Sequence, residues 1–267
     1  MPIADLNHHS MYYEVHGQGI PVVCSGGWGT WCHGGERHLP SGLIEHFQVI
    51  IFDHRGIGES DDRPSVEATT TLYAKDVLAL LDHLAIRQAH FLGIVGIGAC
   101  IGQELALLAP DRVRSLVNSG TWARADNHFR AKLTLWLDLH ERLGFEAFQK
   151  CVVLSAFDAE FFNRYQDKLL GPTGGWSDLR ENLIAQQRLT HAALTHNSVE
   201  RLANITAPTL VFHATHDEIT PPHLSTVVEK GIAGARGEWL TGAGHVITMR
   251  EQREAFATTI INWLQQH

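Results

Sequence analysis

Cysteine is scarce: four residues, Cys24, Cys32, Cys100 and Cys151, in a chain of 267. None forms a CxxC pair, and a chain of this length needs no disulfide framework. Long apolar runs are missing too. None approaches the roughly 20 residues of a membrane helix, so no membrane span is expected. The start, Met1-Pro2-Ile3-Ala4-Asp5, has no basic segment leading into an apolar one, and no secretion signal is expected there. Basic residues are outnumbered, 21 Lys and Arg against 29 Asp and Glu, for a net charge of −8, and none are clustered. That excludes the electrostatic footprint of a nucleic-acid-binding protein. Repeats and low-complexity tracts are absent. A reducing cytoplasm is therefore the expected compartment. What is present is the composition of a globular protein, 44% apolar and 19% charged, long enough for one large domain or a core domain with an insertion. Histidine is abundant, at 18 residues, so most must be uninvolved in any chemistry.

Strand and helix patterns alternate through the first half. Met11–Val15 alternates weakly and stops at Gly17-Gln18-Gly19, as a hairpin strand would. Pro21–Ser25 is a short apolar run ended by Gly26-Gly27. The β-branched run Phe47–Asp53 has the character of a buried parallel strand. Leu72, Val77, Leu78, Leu80, Leu81 and Leu84 give residues 71–84 helical spacing. Ala89–Val95 reads as a strand, Gly102–Leu108 as a helix stopped by Pro110, and Val113–Val117 as another strand. From about 122 to 205 strand-like runs are scarce and helices are expected. Strand patterns return at Pro208–His213 and weakly at Gly237–Leu240, before a final helix over 250–265. The expected fold class is α/β, a mostly parallel sheet with helices on both faces. The expected domains are a core of 1–121 and 206–267 and a helical cap of 122–205.

Three segments, in this order and each after a strand, resemble the α/β-hydrolase family. Asp53-His54-Arg55-Gly56-Ile57-Gly58-Glu59-Ser60 is similar to its D-x-R-G-x-G-x-S turn. His216-Asp217-Glu218-Ile219-Thr220-Pro221 resembles the loop carrying its acid. Gly242-Ala243-Gly244-His245 resembles the G-x-G-H loop carrying its histidine. The resemblance spans essentially the whole chain and implies an acid–base pair, Asp217 and His245, with a helical cap where residues 122–205 fall.

The family's nucleophile elbow, G-x-S-x-G between strand and helix, is altered. Gly93-Ile94-Val95-Gly96-Ile97-Gly98-Ala99-Cys100 contains no serine. Counting forward from Ala89-His90 puts the nucleophile slot at Val95. Counting back from Glu104-Leu105-Ala106 puts it at Gly96, the favoured position, because glycine takes the strained elbow conformation without steric cost. Gly98-Ala99-Cys100-Ile101-Gly102 also fits the pattern with Cys100 as nucleophile. That alternative would lengthen the strand by about four residues and shorten the helix to little over two turns of about 3.6 residues. Ser25-Gly26-Gly27-Trp28-Gly29 stands where the family has His-Gly. Its backbone N–H groups, with those of Gly27, Trp28 and Ile97 as candidates, would make an oxyanion pocket.

Without a nucleophile, a His245–Asp217 dyad is a general acid/base. It suits hydrolysis, C–C cleavage or other lyase chemistry, or cofactor-independent oxygenation of a small carbonyl-containing molecule. The alternatives are a non-catalytic binding or scaffold protein and a cysteine hydrolase using Cys100. Ser25 and Ser119 are candidates to touch substrate. Asp53 and Arg55 are expected to brace their loop, and His33, His38 and His54 to be surface groups. Trp28, Trp31, Trp122, Trp136 and Trp176 fall in loops and cap, where they serve a pocket or the core. His8-His9 and His191/His196 lack ligand companions, so no metal is expected, and no cofactor. The expected partner is a small-molecule substrate, with a homodimer as an open option.

Overall fold

A computed structural model describes residues 2–28 and 35–267. Trp31, Cys32 and His33 lie outside the described residues. Eight strands, β1 (Ile3–Leu6), β2 (His9–His16), β3 (Pro21–Ser25), β4 (Gln48–Phe52), β5 (Ala89–Gly93), β6 (Val113–Asn118), β7 (Thr209–Ala214) and β8 (Arg236–Leu240), form one sheet in the order β1-β2-β4-β3-β5-β6-β7-β8. β2 pairs antiparallel with β1 and β4, and every other pairing is parallel. The helices are α1 (Leu43–His46), α2 (Thr70–His83), α3 (Ile97–Leu108), α4 (Asn127–Leu143), α5 (Phe145–Ala156), α6 (Ala159–Leu169), α7 (Leu183–Thr195), α8 (Pro222–Gly231) and α9 (Arg250–Gln266).

Alternation along the strands divides the core. Val23, Phe91 and Leu116 face one way, into a cluster with Val77 and Leu80 of α2, Ile101 of α3 and Trp136 of α4. Cys24, Leu92, Val117 and Leu210 face the other, against Phe256 and Ile260 of α9. The helices start where polar side chains meet free N–H groups. Thr69, Asp126, Asp158 and Asn182 accept from Leu72, Phe129, Phe161 and Ala185.

Three expectations need correction. β1, at four residues too short to show a pattern, adds an edge strand. The strand expected over Ala89–Val95 ends at Gly93, because Val95 and Gly96 both take positive φ, 65° and 71°. The following helix accordingly begins at Ile97 rather than Gly102. His54, expected at the surface, is buried. Its ring meets Phe52 edge-on and packs at a tilt on Tyr73, and its Nε2 lies 3.3 Å from the Gly26 carbonyl.

Between β6 and β7 the described elements are α4–α7 with two short 3-10 turns. The two ends of this insertion come together, Arg124 bridging Asn197 and the Ser198 N–H donating to the Ala123 carbonyl. Gln103 and Glu104 of α3 hold them. Gln103 donates to Thr121 and the Trp122 carbonyl and accepts from Ser198, while Glu104 pairs with Arg201 at 2.6 Å.

Candidate active site

The two motif loops meet at the carboxyl ends of β7 and β8. Asp217, three residues past β7, is buried and accepts from four groups. They are the N–H of Ile219 and of Thr220, the Thr220 hydroxyl, each at 2.8 Å, and His245 Nδ1 at 2.9 and 3.0 Å to its two oxygens. Burial pulls its pKa up, but the His245 charge and these hydrogen bonds outweigh that and hold it below the ordinary carboxylate range. A carboxylate only accepts, so Nδ1 of His245 carries the proton. Nε2 has no hydrogen-bond partner among the described residues, which leaves it available to exchange a proton. Thr220 is a residue that the sequence motif did not single out. It organises both members, with its hydroxyl also 3.4 Å from His245 Nδ1.

Beside this pair lies the altered elbow. Gly96, with φ 71° and ψ −132°, precedes the first turn of α3. Its N–H donates to the Gly120 carbonyl at 3.0 Å. A Cβ at Gly120 would stand 3.2 Å from Thr220 Oγ1 and 3.3 Å from Val95 Cα, so this turn, the acid loop and the end of β6 are in contact. A Cβ at Gly98 would stand 2.3 Å from the Ser25 carbonyl, which identifies Gly98 as the glycine that lets α3 close on β3. Gly96, two residues earlier, carries no side chain, and Val95 before it is a β-branched side chain held at positive φ, which is costly. Among the described residues, a Cβ on Gly96 would meet only Gly27 Cα, at 3.8 Å.

The glycine loop packs on the same turn, where a Cβ at Gly27 would lie 3.0 Å from the Val95 carbonyl. Ile97 opens α3, so its N–H has no intrahelical acceptor. Trp28 is half-buried and meets Trp136 of α4 edge-on, centroids 6.0 Å apart. Ser25 ends β3 with its hydroxyl buried and unpartnered among the described residues. Asn118, unremarked in the sequence, ends β6 in the same state. Sheet register sets the two on either side of Gly93, and the available signal was a polar residue closing an apolar strand. Ser119 is only half-buried and its N–H is taken by the Gly93 carbonyl.

Cys100 is placed apart from this chemistry. It lies within the first turn of α3, fully buried, its thiol directed at the Trp122 carbonyl at 3.4 Å, and burial pushes its pKa up. A thiol so placed is not ionised near neutral pH. Arg55 forms a buried pair with Asp76 at 2.6 Å, and Asp53 accepts from the Glu59 N–H, so both brace their loop. His38 is exposed. Among the described residues no group of His, Cys, Asp and Glu could hold a metal ion, and no helix is long and apolar enough to cross a membrane.

Known proteins resemble this chain in sequence and fold. A protein from Azorhizobium caulinodans named "Putative carbamate hydrolase RutD" is 34% identical over 253 residues, 88% of each chain. A hydrolase structure from Pseudomonas aeruginosa matches with TM-score 0.85 at 27% identity, covering 98% of this chain and 97% of that one. The enol-lactonase from Burkholderia xenovorans matches with TM-score 0.85 at 26% identity, over 99% and 100%. The family model for the alpha/beta hydrolase fold matches residues 20–251, and the chain belongs to that family.

Proposed function

We propose that this protein hydrolyses small carbamate or ester carbonyls by activating water directly with His245, without an acyl-enzyme. The observation that carries this reading is the His245–Asp217 pair beside a turn at Gly96, which has no side chain and, among the described residues, only Gly27 Cα near where one would stand; we take Gly96 as the nucleophile slot. In this scheme His245 Nε2 takes a proton from water as the oxygen attacks the carbonyl carbon. The carbonyl π electrons move onto oxygen, which the N–H of Ile97 and the glycine loop at Gly27 and Trp28 would stabilise. Collapse breaks the bond to the leaving amine or alcohol, which takes the proton back from His245. The names of the relatives favour hydrolysis over lyase or oxygenase chemistry and suggest a carbamate. Residues 122–205 act as a cap in this reading. Clasps from Ala156 to the Val246 N–H and from Asp158 to Thr248 support that role, because they fix the insertion to the residues just after His245.

The test is turnover of 4-nitrophenyl N-methylcarbamate and 4-nitrophenyl acetate by wild type and His245→Ala. Loss of about 100-fold or more in kcat supports general-base catalysis. Equal rates in the two proteins overturn it.

A further inference from the structure

Lys132 sits on α4 and is half-buried. Its ammonium donates to the backbone carbonyl of Glu218, the residue next to Asp217. One turn further along the same helix, Trp136 packs against Trp28 of the glycine loop. A single turn of α4, about 5 Å of rise, thus reaches from the acid loop to the glycine loop.

The Lys132 ammonium has no direct ion-pair partner among the described residues, although Asp217, Glu218 and Asp126 are near enough to favour its charge. Asp217 is committed to His245, Thr220 and Ile219, and Asp126 to the Phe129 N–H and His223. Among the described residues no carboxylate forms an ion pair with Lys132. Burial holds its pKa below the ordinary lysine range, with the charges of Asp217 and Glu218 opposing. A half-buried ammonium bonded only to a carbonyl gains from an anion brought to it.

We propose that Lys132 is a specificity-determining residue that receives a carboxylate carried by the substrate a few atoms from the scissile carbonyl. The substrates would then be small carboxylate-bearing carbamates or esters. This rests on the hydrolase reading for the identity of the scissile group, but the anion preference is measurable without turnover.

Calorimetric affinities of succinamate and of its neutral isostere succinamide test it on wild type, Lys132→Gln and Lys132→Arg. Glutamine keeps a donor for the Glu218 carbonyl while removing the charge, and thermal unfolding checks that each variant folds. The expected result is that wild type favours succinamate by about tenfold or more, as a partly desolvated ion pair should. Lys132→Gln should lose that preference and Lys132→Arg keep it. Equal affinities in wild type, including no measurable binding of either amide, overturn the proposal, as does a preference that survives in Lys132→Gln. A clear preference with no hydrolysis of either the nitrophenyl carbamate or a carboxylate-bearing ester such as monomethyl succinate would instead remove the hydrolase reading and leave an anion-selective site.

Discussion

Gly96 and Val95 share the burden of one sharp turn, and only one of them is suited to it. Glycine at φ 71° costs nothing special, whereas valine at φ 65° stores strain. The absence of a side chain at Gly96 leads to a specific outcome. Gly96→Ser should fold, at a cost of about 1–2 kcal/mol for a side chain in the left-handed region, and its hydroxyl would sit by the dyad. A fluorophosphonate probe should label this variant and leave the wild type unlabelled. Labelling of the wild type would mean that some residue already serves as nucleophile. Asp217→Asn should cost kcat heavily, because an amide can no longer fix Nδ1 as the protonated nitrogen, and the ratio of its kcat to wild type checks that.

At the scale of elements, close approach of α3 to β3 sets the elbow, and Gly98 is where it is tightest. Gly98→Ala would place a methyl 2.3 Å from the Ser25 carbonyl. It should lower unfolding stability by about 3 kcal/mol, as overpacking against backbone does, measured by urea denaturation. Much of this layout was legible in the sequence. The β-branched run before Asp53 and the helix over α2 follow from period acting locally, and the loops holding Asp217 and His245 from the resemblance of their motifs to the family's. The end of β5 did not, because the apolar residues Ile94 and Val95 extend a strand pattern through what tertiary packing makes a turn. The reach of Lys132 to Glu218 and of Trp136 to Trp28 joins residues far apart in sequence, and no local signal encodes it. His54 was misread for the same reason: it follows a turn motif, yet a loop folded back over it, and Tyr73 of a later helix, enclose it.

For the molecule as a whole, the surplus of histidines has a consequence for acid stability. His90 and His196 are buried, and desolvation holds each at about 4, well below the usual 6.5. Folded-state values lowered in this way mean full stability above pH 6.5 and progressive loss as pH falls towards 4. His196 alone, beside Glu104 at the base of the insertion, should account for about 2 kcal/mol between pH 7 and pH 5. Urea unfolding at the two pH values should show a smaller drop for His196→Gln than for wild type. The proposed activity draws on the whole assembly of sheet, insertion and loops, and the central claim of that proposal is hydrolysis without a covalent intermediate. Rapid-quench intact mass spectrometry during turnover of 4-nitrophenyl N-methylcarbamate tests that directly. The predicted result is nitrophenolate release without an initial burst and a protein mass unchanged throughout. A burst of about one equivalent with a matching carbamoyl mass gain on any residue, Cys100 included, would contradict it.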